Sequence, residues 1–173
     1  MDGAVTRYDP FSPWSDSATF NTDGGVYQIQ AVAPPDASTE YGPGRAGAVL
    51  TGVSLSNFSV SVDVVSWDST LPQSFGIVAR VSEFGLGTSD GYFFNSAPGS
   101  GRGRTFGEVE ISRFDDEIRN TEALTAMQVT DDLSSGTGYR FVFEGVGSLL
   151  TGSIYELTDL STPLITIQLA DST

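Results

Sequence analysis

Apolar and polar residues alternate along residues 139–157, and this is the most regular pattern in the chain. Tyr139, Phe141 and Phe143 occupy every second position, as in a β-strand with one aromatic face. Two glycines then permit a turn, because glycine adopts backbone angles that other residues avoid. A second alternating segment follows the turn. We therefore predict a long antiparallel hairpin whose apolar face packs against a second sheet.

The same alternation recurs along the chain and predicts about ten short strands and no helix. In residues 57–68, Phe58, Val60 and Val62 face one side, while serines and Asp63 face the other. Turn-forming residues separate the segments. We predict an all-β fold, a two-sheet antiparallel jelly-roll sandwich, in a single domain over residues 1–173. The remaining predicted strands are residues 25–33, 46–50, 74–84, 92–94, 105–114, 122–129 and 164–170.

Acidic residues dominate the charge of the chain. There are 22 Asp and Glu residues against 8 basic residues, all arginine, so the net charge is −14. Nucleic-acid and anionic-membrane partners need a basic surface, which this balance argues against. No apolar run is long enough to insert into a membrane. Residues 1–11 lack the basic and apolar regions of a signal peptide, so we expect either a cytoplasmic protein or a mature or trimmed chain. The composition is typical of secreted bacterial β-proteins, so we expect a secreted or cell-surface protein. An acidic surface encoded by a GC-rich genome explains the negative charge equally well.

Missing residue types exclude several kinds of chemistry. Without histidine, lysine or cysteine there is no Ser-His-Asp triad, no Walker phosphate loop and no Cys-His pair. The carboxylates Glu108 and Glu110 are the catalytic candidates, because alternate residues of a strand share one face about 6.5 Å apart. Retaining glycosidases hold two carboxyl groups about 5 Å apart, so this spacing is compatible. A solvated acidic face explains the pair better, and the sequence favours a protein that is not an enzyme.

A carbohydrate site is easier to support than a catalytic one. Sugar rings stack on aromatic side chains, and their hydroxyl groups need paired polar side chains. Structural roles compete at each candidate position, for example in the core or at a sheet edge. The candidate ligand-binding residues are Trp67, Asp68, Arg80, Tyr92 and Arg104.

Two acidic turns are candidates for a structural calcium ion. Calcium takes six to eight oxygen ligands, which carboxylates and backbone carbonyls provide. The turns contain Asp115, Asp116 and Glu117 in one case, and Asp131 and Asp132 in the other. No EF-hand spacing is present, and solvation of the carboxylates is the simpler explanation.

Residues 48–173 resemble the laminin-G-like branch of the concanavalin A-like superfamily. The matching segments are residues 55–64, 76–81, 91–94, 133–157 and 162–173. The resemblance implies a jelly roll with a concave and a convex sheet, in a superfamily of carbohydrate-binding modules, lectins, glycan hydrolases and adhesive domains. Some glucanases of the superfamily carry Glu-x-Asp-x-Glu on a strand. Here Glu108 and Glu110 are followed by Ser112, so the middle acid is changed and the last is missing.

In similar domains, the segment that follows the equivalent of residues 171–173 supplies one more strand. That strand pairs beside the amino-terminal strand. We expect either a trimmed or naturally shorter form, or completion of the open edge by a neighbouring chain.

We expect a non-catalytic extracellular module that binds a glycan or another cell-surface polymer. The first alternative is a structural or adhesive subunit, which self-associates through an open sheet edge into a filament or surface layer. The second is a glycan hydrolase that uses Glu108 and Glu110. A binding module should stack a sugar on exposed aromatic rings, a structural subunit should bury its edges, and a hydrolase needs a cleft with two facing carboxylates.

Overall fold

A computed structural model describes residues 4–9, 18–32, 44–103, 105–119 and 125–171. The predicted all-β class is confirmed, with antiparallel strands and two short 3-10 helices in the described part. The contacts divide the chain into two compact units. The first is Met1–Ser54 with Phe84–Thr88, and the second is Leu55–Glu83 with Ser89–Thr173. The single domain over residues 1–173 stays a prediction.

The first unit consists of two short antiparallel pairs. Its strands are β1 (Ala4–Tyr8), β2 (Thr19–Asn21), β3 (Gln28–Gln30) and β4 (Gly47–Thr51), and β1 pairs with β4 while β2 pairs with β3. The Tyr8 ring packs edge-on against Phe84 with centroids 6.0 Å apart. The Arg7 guanidinium lies 5.3 Å from the centre of the Phe20 ring. Alternation in the sequence did not indicate β1, and β3 is shorter than the strand predicted at residues 25–33.

The second unit contains two antiparallel sheets. Its strands are β5 (Phe58–Val64), β6 (Phe75–Ser82), β7 (Asp90–Ala97), β8 (Phe106–Asp115), β9 (Ile118–Arg119), β10 (Thr125–Asp131), β11 (Tyr139–Val146), β12 (Leu149–Glu156) and β13 (Ile165–Ala170). One sheet has the order β10-β8-β7-β6, with β9 paired to β8. The other has the order β13-β12-β11-β5. We call them the five-stranded and the four-stranded sheet.

Aromatic residues from both sheets form the core between them. Phe94 of β7 lies 5.7 Å, centroid to centroid, from both Phe141 and Phe143 of β11, and all three side chains are fully buried. The predicted hairpin of residues 139–157 therefore contributes its aromatic face to a sandwich, as its alternation indicated. Gly152 of β12 lies beneath the Phe94 ring, where a Cβ atom would stand 2.4 Å from a ring carbon.

Strand β7 is longer than the sequence predicts. Alternation indicates only residues 92–94, whereas β7 pairs with β8 from Gly91 to Ala97. Asn95 and Ser96 interrupt the apolar pattern, but their backbones remain in the ladder because both neighbouring strands continue beside them. The antiparallel sandwich arrangement is thus present, while the jelly-roll connectivity stays a prediction. Within the ranges given above, no helix has the length and apolar character to cross a membrane.

We predict that Gly152→Ala destabilises the protein by about 1–3 kcal/mol, because the added methyl group overpacks the core against Phe94. Urea unfolding followed by tryptophan fluorescence measures the change. Gly136→Ala is the matched control, since the nearest atom to its new Cβ is the Ser134 hydroxyl oxygen at 3.9 Å. Equal stabilities of the two variants would contradict the close packing of Phe94 on β12.

Candidate functional site

Two of the predicted ligand-binding residues stabilise one end of the sandwich. The Trp67 ring lies 4.9 Å from Phe75 and 6.0 Å from Tyr139, centroid to centroid, so it packs on the core. The Asp68 carboxylate accepts hydrogen bonds from the backbone N–H (2.9 Å) and the hydroxyl (2.6 Å) of Thr70. These hydrogen bonds lower the pKa of Asp68 and fold a local turn.

Arg80 lies on an irregular part of β6 and connects the two sheets. Its backbone is left-handed (φ 51°), at a shift in the pairing between β6 and β7. The guanidinium donates hydrogen bonds to the carbonyl oxygens of Ser56 (2.8 Å) and Gly147 (2.6 Å). It also lies 5.7 Å from the centre of the Phe58 ring. These contacts hold the β11–β12 turn and the start of β5 against β6.

Tyr92 belongs to a second polar connection between the sheets. Its hydroxyl donates a hydrogen bond to the carboxylate of Asp171, which is buried just beyond the end of β13. An Arg113 Nη1 atom lies 4.0 Å from the same carboxylate, and Arg113 Nε donates to Asp115 at 2.8 Å. Burial, together with the hydrogen bond to Asp171, raises the pKa of Tyr92 to about 12. The cluster ties β7 and β8 to the end of β13.

The five predicted binding residues do not converge on one surface. Trp67 and Asp68 lie at the end of the sandwich where β6 and β11 begin. Arg80 and Tyr92 lie at the opposite end, near the β11–β12 turn and the end of β13. Arg104 is outside the described residues. A carbohydrate site built from these residues stays a prediction.

The two catalytic candidates lie on the outer face of the five-stranded sheet. Val109 and Ile111 of β8 are fully buried, so Glu108 and Glu110 point to the opposite side. The Ser112 hydroxyl donates a hydrogen bond to Glu110 Oε1. The two carboxylates share a face, as their spacing predicts.

An aromatic pair that the sequence analysis missed lies on the same outer face. The rings of Phe93 and Phe114 stack with centroids 6.0 Å apart and planes 24° apart. Asn95 is opposite Glu110 in the register of β7 and β8, beside this pair. Neighbouring residues of a strand point to opposite faces, so Phe93 points outward if Phe94 is buried. The sequence could have indicated this if β7 had been recognised at its full length.

The first of the two candidate calcium sites lies at the turn that joins β8 to β9. Asp116 and Glu117 adopt left-handed angles (φ 50° and 60°) in the tight turn between β8 and β9. The Asp116 N–H donates to Asp90 at 2.8 Å, which holds this turn in place. Asp115 accepts the hydrogen bond from Arg113 described above. These hydrogen bonds stabilise the turn.

In the second candidate calcium site, Asp132 binds backbone N–H groups of a neighbouring loop. The Asp132 carboxylate accepts hydrogen bonds from the N–H groups of Gly99 and Ser100, both at 2.8 Å. Across the described ranges, no three or more acidic, histidine or cysteine side chains are grouped so that they could hold a metal ion. Calcium binding through Asp115, Asp116, Asp131 or Asp132 stays a prediction.

A shallow cleft of about 260 Å³ opens where β10 ends and β11 begins. Asp131, Asp132 and Glu156 contribute its acidic groups, and Glu156 also accepts a hydrogen bond from the Thr158 hydroxyl. Neither Glu108 nor Glu110 lines it, so the two predicted catalytic carboxylates lie outside this cleft. Its lining residues are Thr130, Asp131, Asp132, Leu133, Tyr139, Glu156, Leu164 and Ile165.

The first edge of the four-stranded sheet is the β5 edge, Phe58–Val64. Only β11 pairs with it among the strands that the structure describes. Val60 and Val62 face the core side, yet 39% and 41% of their surfaces are exposed. Phe141, which is opposite Val62 on the neighbouring strand, is 0% exposed. The core is therefore only partly covered along the β5 edge.

The second edge is the β13 edge, Ile165–Ala170, where β12 is the neighbour within the described part. The Asp171 N–H donates to the Ser148 carbonyl at 2.9 Å, toward β12. Since backbone groups alternate along an antiparallel strand, those of Thr166, Gln168 and Ala170 point away from β12. Unlike β5, this strand has a covered core face, and its alternation of buried and exposed residues is complete.

Both edges are electrically neutral, although the chain carries a net charge of −14. The β13 edge contains no charged residue and no proline. The only charge of the β5 edge is Asp63, whose carboxylate accepts hydrogen bonds from Arg140 Nε (2.6 Å) and Arg140 Nη2 (2.8 Å). The guanidinium lowers the pKa of Asp63, so the pair stays ionised and neutral overall. Natural sheets usually protect an edge with a charge, a proline or a bulge, as the Arg80 bulge does on β6.

No family model, no curated protein and no solved structure matches this chain. The resemblance to laminin-G-like domains therefore stays a prediction.

We predict that Tyr92→Phe lowers the free energy of unfolding by about 1–3 kcal/mol, because it leaves the buried Asp171 carboxylate without its hydroxyl donor. Tyrosine has a pKa of about 10 in an unfolded chain. With a folded pKa of about 12, the Tyr92 contribution is complete below about pH 10 and is lost as the pH rises through 12.

Guanidinium unfolding at about pH 8 and about pH 11 tests both effects, and Tyr92→Phe should lose less stability between them than the wild type. Tyr27→Phe, which removes a hydroxyl from an exposed ring, is the control. A Tyr92→Phe variant with the stability and pH dependence of the wild type would show that the Asp171 contact does not stabilise the fold.

Proposed function

We propose that this protein is a structural or adhesive subunit that self-associates through the edges of its four-stranded sheet. The observation that carries the proposal is that the β5 edge and the β13 edge are both unprotected strands in the described part of the chain. An edge strand offers a row of backbone donors and acceptors to another chain. Association satisfies these groups and removes apolar surface from water.

Burial of the two valines supports association at the β5 edge. Val60 and Val62 expose about two fifths of their surfaces on the core side of the sheet. Covering each would contribute on the order of 1 kcal/mol, since full burial of such a side chain contributes about 1.5–3 kcal/mol. A neighbouring strand adds backbone hydrogen bonds to this gain.

The distribution of charge favours association at these two edges over other parts of the surface. Two copies with net charges of −14 repel one another, so a contact is least opposed where the surface is neutral. The Asp63–Arg140 pair neutralises the β5 edge, and the β13 edge has no charge. Salt screens the remaining repulsion, so assembly should strengthen with ionic strength. A secreted or cell-surface location, as the composition suggests, is part of this proposal.

Glycan binding is the second candidate, on the outer face of the five-stranded sheet. The stacked pair Phe93 and Phe114 lies beside Asn95 and Glu110. Aromatic rings next to paired polar groups are the elements that a saccharide site requires. Such a site would lie on the other sheet and is compatible with assembly through the β5 and β13 edges.

We predict that the wild-type protein forms oligomers whose mass grows with protein concentration and with salt, and that Val62→Lys prevents this. A charge pointing to the core side of an edge strand opposes pairing with another strand. Light scattering after size-exclusion chromatography gives the masses.

Val78→Lys is the matched control, because Val78 is 50% exposed on the outer face of β6. It should assemble like the wild type. Wild-type protein that stays monomeric at every salt concentration would overturn the proposed function, and so would a Val62→Lys variant that assembles normally.

A further inference from the structure

We infer that the assembly is head-to-tail, with the β5 edge of one copy pairing with the β13 edge of the next. The inference rests on the proposed function and names the partner surface of each edge. A single type of contact would then complete both edges of the four-stranded sheet.

Strand direction permits this arrangement. The order β13-β12-β11-β5 is antiparallel at every step, so β5 and β13 run in opposite directions. When two copies lie side by side in the same orientation, β5 of one is therefore antiparallel to β13 of the other. The lengths also match, since β5 has seven residues and β13 has six. The ladder would span about 20 Å.

The two edges differ in how far the opposite sheet covers their core-facing side chains, and this difference favours β13 as the partner of β5. Val60 and Val62 are only partly covered, whereas Ile165, Ile167 and Leu169 are buried beneath β8 and β10 of the opposite sheet. An incoming β13 edge brings its covering β10 with it and extends the core over the two valines. Two β5 edges would instead place four partly covered valines together, and both β13 edges would remain open.

A head-to-tail contact has a consequence for the shape of the assembly. The two contacting surfaces are different, so each added copy presents a new unpaired edge. Unless rotation between copies closes a ring, the product is an open fibre rather than a dimer. Pairing of β5 with β5 would give a two-fold symmetric dimer, which could grow further only if the β13 edges also paired with each other.

Single cysteines distinguish these arrangements, because the chain has no cysteine of its own. Ser61 of β5 and Gln168 of β13 both point to the outer face of the four-stranded sheet. We expect a bis-maleimide that spans about 8 Å, the distance between diagonal neighbours on paired strands, to join Ser61→Cys to Gln168→Cys in a mixture. Each variant alone should yield roughly tenfold less dimer, since identical residues recur only every four strands, about 19 Å apart.

Val78→Cys mixed with Gln168→Cys gives the collision background, and light scattering is recorded on the same samples. Cross-linking of Ser61→Cys to itself would overturn the head-to-tail inference but leave self-association intact. Assembly without cross-linking above background would overturn the inference too. Samples that remain monomeric would overturn the proposed function as well, because no edge would then be paired.

Discussion

The packing of Phe94 against Phe141 and Phe143 is the contact on which the rest of the structure depends. These rings are fully buried and join the five-stranded sheet to the four-stranded sheet. The absence of a side chain at Gly152 allows the Phe94 ring to approach β12. An open sandwich of this kind ends in edge strands, and we propose that the protein assembles through those of the four-stranded sheet.

Polar side chains complete the attachment of one sheet to the other. Arg80 donates to the carbonyls of Ser56 and Gly147, and Tyr92 donates to the buried carboxylate of Asp171. A chain without cysteine has no disulfide to hold its sheets together, so buried contacts and hydrogen bonds must do so. Residues that resemble a binding set in the sequence therefore have structural partners at two opposite ends of the sandwich.

The sequence predicts the strands of the second unit well, because apolar and polar residues alternate along a strand that has one buried face. It predicts side-chain partners poorly. Tyr92 and Asp171 are 79 residues apart, and Arg80 and Gly147 are 67 apart, so no local pattern indicates that either pair meets. The β5 edge could be recognised as a strand from Phe58, Val60 and Val62. Its exposure could not, because it depends on how far the opposite sheet extends.

Hydrogen exchange of backbone amides at low and high protein concentration tests the central claim most directly. If copies pair through the β5 and β13 edges, amides of residues 58–64 and 165–170 should exchange more slowly in concentrated, assembled samples. Amides of β7, which has a neighbour on both sides within one copy, should be unchanged. Assembled samples in which both edges exchange as fast as in the dilute monomer would contradict the account.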